Sequence, residues 1–408
     1  MSIISLPQNY ANRFSDKSYT VSFTEHFDMP LLLSALALLG LGLVMVASSS
    51  ISIAERQLAE PLYYFWRQLS YSFIGLVAAF IVFKIPLNFV QKSGPVLIVA
   101  SMFLLMLVLI PGVGKDVNGS IRWINLGVIS LQVSEFVKLS TVIYLAGYLV
   151  RHNEEVRTNL SGFVRPLVLI FIISLLLILE PDFGAVAVIA MTAMGMLWLG
   201  GASFFQFIFL MLTMTAALSL VAISSPYRME RLTTFLNPWE DPFNSGFQLI
   251  QALIAFGRGE WFGVGLGSSV QKLFYLPEAH TDFVFAVLAE ELGLFSVMLV
   301  IAAFCFIVIR ALMIGRRAEK RERPFTAFLA YGLGIWLGLQ AFINIGVNMG
   351  VLPTKGLTLP LMSYGGSSLI IMCIVIALLL RADYETRKFD RTSQNKRRSD
   401  SMVDAKSW

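Results

Sequence analysis

Charge is in short supply along this chain: Asp, Glu, Lys and Arg make up 14% of its 408 residues, where a soluble domain carries about a quarter. That deficit, beside 56% hydrophobic residues and a mean hydropathy of +0.72, excludes an ordinary water-soluble domain. Cysteine is scarcer still. Cys305 and Cys373 both fall in apolar runs, which leaves no disulfide framework and no zinc spacing; they read as small buried hydrophobes. A Gly-x-Ser-x-Gly elbow, a Walker loop and a His-Glu-x-x-His pair are all missing, so hydrolase, ATP-driven pump and zincin readings lose support. Without sustained period-2 alternation an outer-membrane barrel is disfavoured. Without an internal repeat, so is a repeat-built transporter.

What the chain does have is long apolar runs, and a membrane span needs about 20 such residues. Ten are found, near 31–50, 69–87, 95–112, 135–150, 165–180, 184–200, 203–224, 283–310, 326–350 and 358–380. The first follows some thirty mostly polar residues and suits a retained span better than a cleaved signal. The 283–310 run is long enough to be tilted or partly outside the bilayer. With the N-terminus placed in the cytoplasm, 21 of the 31 Lys and Arg residues fall on that side, nine on the other, and Lys138 within a span. The fold class expected is therefore an all-α polytopic membrane protein of about ten transmembrane helices with both termini cytoplasmic. Residues 1–30 form a cytoplasmic tail, 31–380 the transmembrane domain, and 381–408 a basic, disordered tail facing lipid headgroups. The basicity thus serves orientation and calls for no nucleic-acid partner.

One connection breaks the rhythm. Residues 225–282, between helices 7 and 8, form an extracytoplasmic loop far longer than the usual dozen or so residues. Trp239, Phe243, Phe247, Trp261, Phe262, Phe274 and Tyr275 give it too many aromatics for a disordered linker. The loop is expected to be partly ordered against the membrane surface, with a short helix over 247–256.

At its end Glu278, His280 and Asp282 stand at the threshold of the eighth span. Asp282 has two compatible readings. It starts a helix, with Thr281 as N-cap and its own charge in the first turn; and it is an ionised base at an aqueous cavity, where a water-borne sugar could meet it. If the stretch is extended, the three side chains point one way and could hold a divalent cation; if helical, His280 turns aside, and Pro277 favours the helix. Glu290 and Glu291 lie deeper in the apolar run and need partners. Glu135 and Lys138, at i and i+3, can neutralise each other on one helix face. The outer cations Arg122, Arg228, Arg231, Arg258, Lys272 and Lys355 are individually headgroup anchors, but several converging would suit a pyrophosphate. The small residues of Ser363-Tyr-Gly-Gly-Ser-Ser368 let a helix or substrate approach the backbone.

Taken together, RWINLG (122–127), SEFVKLS (134–140), EPDFGA (180–185), the block from Asn237 to Gly293 and LPTKGLTLPLMSYGGSS (352–368) resemble the SEDS family, in its cell-division branch. The resemblance implies a ten-span peptidoglycan glycosyltransferase. It would polymerise lipid II at the outer face of the bacterial cytoplasmic membrane, beside a class B penicillin-binding transpeptidase and other divisome proteins at the septum. By the same resemblance Asp282 is the catalytic base. Arg122 and Lys355 line the substrate cavity, and Arg231, Lys272, Glu278, His280 and Ser363 are candidate substrate contacts. Glu135, Lys138, Glu290 and Glu291 are structural or cavity polar groups. A divalent cation, Mg or Mn, is an open expectation, with Glu278, His280 and Asp282 as its candidate ligands. Gln132-Val-Ser-Glu135 and Glu180-Pro-Asp-Phe-Gly184 depart from the family's usual Gln-Pro-Ser-Glu and Gln-Pro-Asp-x-Gly. A lipid II flippase and a non-catalytic scaffold that recruits the transpeptidase are the competing classes.

Overall fold

The computed structural model describes residues 28–117, 120–125, 130–223, 234–244, 246–273, 276–354 and 356–404. Twelve α-helices organise the described residues: α1 (Met29–Leu58), α2 (Tyr63–Lys84), α3 (Leu87–Val108), α4 (Val133–Arg151), α5 (Asn153–Thr158), α6 (Leu160–Leu179), α7 (Phe183–Leu199), α8 (Phe204–Ile223), α9 (Phe247–Gly259), α10 (Val284–Glu319), α11 (Pro324–Asn348) and α12 (Gly366–Asp404). Eight of them (α1–α4, α6 and α10–α12) are long and apolar enough to cross a membrane; α7 and the Phe204–Thr213 part of α8 are apolar but shorter. Each of the ten apolar runs of the sequence has become a helix, and the chain is a multi-pass membrane protein.

Local chemistry sets several boundaries. Asp28 accepts a hydrogen bond from Leu31 N at 3.3 Å with Pro30 in the first turn, which starts α1. Asp182 does the same for α7 through Ala185 N, at 3.1 Å. Ile85, forced to extended backbone by Pro86, ends α2. Hydropathy does not sort inner from outer helices: α2 and α4 share a value of 1.4, yet 22% of the α2 window is buried against 83% of α4. Small residues set the close contacts of the inner helices. Gly332 of α11 lets Met196 and Val142 pack where a β-carbon would stand 2.6–2.7 Å from them, and Gly42 of α1 meets the Met362 backbone in the same way. The inner layer is α4, α11 and α12, with α2 and α3 facing outward.

Three features differ from the expected fold. A small antiparallel sheet, β1 (Gly114–Val117), β2 (Ser120–Asn125) and β3 (Ser130–Gln132), interrupts the all-α pattern between α3 and α4. Its last strand is pinned to the start of α12, because Ser367 Oγ accepts from Gln132 N at 2.9 Å and donates to Ser130 O at 2.6 Å. Second, α10 is broken at Gly293, whose φ of 74° and ψ of −177° are non-helical. Its opening stretch, Val284–Glu291, is buried throughout. Third, α12 runs past the expected domain boundary at 381 to Asp404, so the described part of the tail is helical where disorder was expected. Ion pairs hold its described side chains: Arg317–Asp383, Arg387–Asp383, Arg323–Glu385 and Arg381–Glu385, while Glu385 also accepts from Leu87 N at 2.9 Å. Asp28, at the head of α1, pairs with Arg310. Asp28 and the 383–387 stretch of α12 therefore lie at the same end of the bundle, in keeping with the charge distribution.

The expected short helix of the long loop is α9, and Trp239, Phe243, Trp261 and Phe262 around it are exposed. Phe274 and Tyr275 lie outside the described residues.

Candidate active site

Asp282 sits in a turn just ahead of α10, and the turn is built by its neighbours. Glu278 adopts a φ of 56°, and Thr281 Oγ1 donates to Glu278 O at 3.1 Å and to Glu278 Oε2 at 2.8 Å. The helix begins at Val284, and no side chain caps its N-cap position at Phe283. This corrects the expected cap by Thr281 and the first-turn place of Asp282. The Ala286 N–H is served instead by Asn348 Oδ1 of α11, at 3.1 Å. The carbonyl of Asp282 accepts from Asn344 Nδ2 at 3.0 Å and from Asn348 Nδ2 at 2.9 Å. Its half-buried carboxylate lies against Gly356: a β-carbon there would stand 3.0 Å from Oδ2. Glycine lets the 356–358 segment pass this close. Leu357 O accepts from the same Asn344 Nδ2, at 2.6 Å, and the Leu357 side chain abuts Gly184 near the start of α7. Asp282, the 356–358 segment and the α6–α7 turn thus share one wall.

His280 and Ser363 shape the other side. The His280 ring is buried between Tyr64 of α2 and Tyr364, at centroid distances of 4.6 and 5.4 Å, and Tyr364 N donates to His280 O at 2.9 Å. Burial pulls its pKa below the usual range and Glu278 only partly offsets this, so the ring is neutral. His280 is turned into an aromatic stack, whereas Glu278 faces Thr281 and Asp282 faces Gly356. Among the described residues no three His, Cys, Asp or Glu side chains form a metal-ligand group, and this corrects the expected Glu278–His280–Asp282 ligand set. Ser363 Oγ accepts from Leu359 N at 2.8 Å and its carbonyl accepts from Gln68 Nε2 at 3.1 Å, so it holds the turn before α12.

The candidate cations separate. Arg122 of β2 donates to Glu180 O at 3.4 Å and to Pro181 O, and approaches Asp182 Oδ1 at 3.9 Å. It therefore braces the turn whose Gly184 touches Leu357. Glu180 in that turn is fully buried with neither carboxylate oxygen hydrogen-bonded. Burial foremost, then Asp182, pushes its pKa up to about 8 against the pull of Arg122. Lys272, expected to meet substrate, is buried instead and donates to Glu291 Oε1 at 2.7 Å and Ser48 Oγ at 3.0 Å. Ser48 Oγ and Ser269 N also donate to Glu291. Glu290 accepts from Arg258 Nη1, Ser269 Oγ, Val270 N and Gln271 N. These two acids, expected inside the apolar bundle, anchor the 258–272 stretch to the first part of α10. Glu135 and Lys138 pair at 2.8 Å as their spacing required, and Lys138 Nζ also donates to Gln340 Oε1 at 2.8 Å. Arg228, Arg231 and Lys355 lie outside the described residues.

Sequence reasoning missed Gln340, Asn344 and Asn348. The available signal was their spacing, three amides at i, i+4 and i+8 along an apolar helix.

Known proteins share both sequence and architecture with this chain. Residues 29–388 match the model of the cell cycle protein family that takes in FtsW, RodA and SpoVE. A Nitrosococcus halophilus protein named as a probable peptidoglycan glycosyltransferase FtsW is 59% identical, over 92% of this chain and 96% of its own. A Coxiella burnetii protein of the same name is 53% identical, over 91% and 99%. Among solved structures, a chain from a peptidoglycan synthase complex that coordinates polymerization and crosslinking matches with a TM-score of 0.71 at 28% identity, covering 88% of this chain and 98% of that one. The rod shape determining protein RodA of Thermus thermophilus matches with a TM-score of 0.65 at 26% identity, covering 88% and 96%. With the family model matched over almost all of the described residues, the chain belongs to the FtsW, RodA and SpoVE family of cell cycle proteins.

Proposed function

We infer that this chain is a peptidoglycan glycosyltransferase that polymerises lipid II during septal wall synthesis, with Asp282 as its general base. The names of its full-length relatives support the activity. The observation that supports the base is geometric: Asp282 is half-buried on a turn pinned to α11 by two amides, with its carboxylate against the 356–358 segment. In the reaction, the acceptor sugar's 4-hydroxyl gives its proton to Asp282 as its oxygen attacks the donor's anomeric carbon. The bond from that carbon to the pyrophosphate breaks, and undecaprenyl pyrophosphate leaves with the electron pair, inverting the configuration. Cations must stabilise the departing charge. Arg122 stands on the same wall, through Asp182, Gly184 and Leu357; Arg231 and Lys355 are proposed to join it. A divalent cation, if used, would be carried on the pyrophosphate, since the described residues supply no three-ligand set.

The chain acts on a lipid-linked substrate and works beside a crosslinking partner, as its likeness to the synthase complex supports. We propose that this partner is a class B penicillin-binding transpeptidase of the FtsI type, within the divisome at the septum, and that the site opens on the periplasmic face. The test is a gel assay of glycan strands made from labelled lipid II by the full chain, with and without its partner and with and without EDTA. Asp282→Asn should lower the rate by about 10²-fold or more, the scale of general-base catalysis. Wild-type polymer from Asp282→Asn would remove Asp282 from the chemistry.

A further inference from the structure

Gln340, Asn344 and Asn348 are each at most 1% exposed, in an otherwise apolar helix. Burying a primary amide in such a place is unfavourable unless its hydrogen bonds are made. All three make them, and to unusual partners. Gln340 Nε2 donates to Thr358 O at 3.1 Å, and Asn344 Nδ2 to Leu357 O and Asp282 O. Asn348 Nδ2 also donates to Asp282 O, while its Oδ1 accepts from Ala286 N. The chemistry of the partners fixes the orientation of two of these amides. Gln340 Oε1 faces Lys138 Nζ and Trp336 Nε1, which can only donate, and Asn348 Oδ1 faces a main-chain N–H.

The carbonyls so served belong to the Asp282 turn and to the 356–358 segment, neither of which has a regular backbone ladder of its own. Two donors converge on the Asp282 carbonyl, which fixes the peptide plane after Asp282 and so restrains the Cα from which the carboxylate projects. Asn344 holds Leu357 at the same time, beside the glycine against which the carboxylate leans. Successive amides rise about 6 Å along the helix, so one rigid element gauges the separation of the carboxylate from its wall. Packing alone would be served by leucine.

We propose that Asn344 and Asn348 are positioning residues for Asp282, and that Gln340 extends the same ladder to the Glu135–Lys138 pair. This rests on the reading of Asp282 as base. A misplacement of about 1 Å can lower a rate by about 10²-fold.

The test measures kcat, KM and melting temperature for the full chain with its partner on labelled lipid II, comparing wild type with Asn344→Leu, Asn348→Asp and Asp282→Asn. Asn344→Leu removes both donors at nearly constant volume; kcat should fall about tenfold or more while KM stays within about threefold. Asn348→Asp keeps the acceptor for Ala286 N, but its carboxyl can donate to Asp282 O only when protonated. Its activity relative to wild type should therefore rise as pH is lowered from 8 to 6, a trend that a purely structural role would not produce. Wild-type kcat in Asn344→Leu, or a pH-independent ratio for Asn348→Asp, overturns the proposal. So does failure of both variants to fold, which assigns the amides to stability alone. If Asp282→Asn is inactive while the asparagine variants behave as wild type, only the ladder is wrong. If Asp282→Asn matches wild type, the base reading fails first.

Discussion

Removing Glu291 should release the 258–272 stretch, and the structure sets the scale of the effect. The Glu291 side chain is 0% exposed and that of Lys272 is 7%, with Nζ and Oε1 2.7 Å apart. Glu291→Leu leaves an ammonium in a water-poor site with Ser48 Oγ as its remaining hydrogen-bond partner. Breaking a buried pair from one side costs about 3–5 kcal/mol, and Lys272→Met should cost a similar amount by stranding the carboxylate. Glu291→Leu with Lys272→Met removes both charges and leaves only Ser48 Oγ and Ser269 N to find new partners, at about 1–3 kcal/mol. The double variant should therefore be more stable than either single one, with a coupling energy of about 3 kcal/mol or more.

Arg258 provides the contrast. It also pairs with a fully buried acid, but its own side chain is 41% exposed. When it is removed, Glu290 keeps Ser269 Oγ, Val270 N and Gln271 N. Arg258→Ala should cost only about 1 kcal/mol, the scale of an exposed pair. Unfolding in mixed micelles gives the four-way cycle, and limited proteolysis within 260–273 reports whether the loop has lifted. Additive single effects, or losses below about 1 kcal/mol for both charge-removing variants, would refute the view that this network holds the loop.

Glu180→Gln should stabilise the protein increasingly with pH. Its folded pKa of about 8 lies above the unfolded carboxylate value, so stability is full below about 4.5 and is lost as pH rises to 8, then stays flat. The variant removes that loss, and its melting temperature should exceed that of wild type by about 2 °C or more at pH 8.5, with a smaller gap at pH 6; a gap independent of pH counts against a protonated Glu180. Gly293→Ala should cost about 3 kcal/mol or more, because the φ is 74° and the new β-carbon would run into the Gly263 backbone nitrogen. Gly112→Ala is the control, with a φ of 91° but nothing within 4 Å, and should show the backbone cost alone, about 1 kcal/mol; equal melting losses in the two would sink the steric argument. Lys138→Met should destabilise by about 3–5 kcal/mol, since Glu135 is 3% exposed and its other oxygen already lacks a hydrogen bond; an unchanged melting curve would show that Glu135 is neutral in the fold.

Position at the threshold of a span marked Asp282 only as one candidate beside Glu278 and His280, and resemblance singled it out. Hydropathy made the helices legible, because it is a property of a residue and its near neighbours. The Glu135–Lys138 pair was readable for the same reason, as i and i+3 share a helix face. Lys272 was not. Whether a loop lysine faces substrate or an acid depends on which carboxylate the fold brings to it, and Glu291 arrives only because α10 breaks at Gly293 and the 259–264 stretch packs into the break. The break itself was hidden, since a glycine inside an apolar run reads equally well as a helix contact. The strands β1 to β3 and the first turns of the tail were missed because distant partners hold them, Ser367 on β3 in one case and Arg317 and Arg323 on Asp383 and Glu385 in the other.

The amide ladder was hardest to see, and its chemistry explains why neutral groups suit it. A cation holding the Asp282 turn through the carboxylate would also lower that carboxylate's pKa, and so weaken the base it positions. Amides that grip the main-chain carbonyl fix the same geometry while adding no net charge. The buried charges of α4 and of the loop network, by contrast, are neutralised in pairs and hold elements together. In a chain with so few charges, pairs of opposite sign fasten the scaffold, and on the proposed reading of Asp282 as base, neutral amides are the groups that can aim its carboxylate without stabilising its charge.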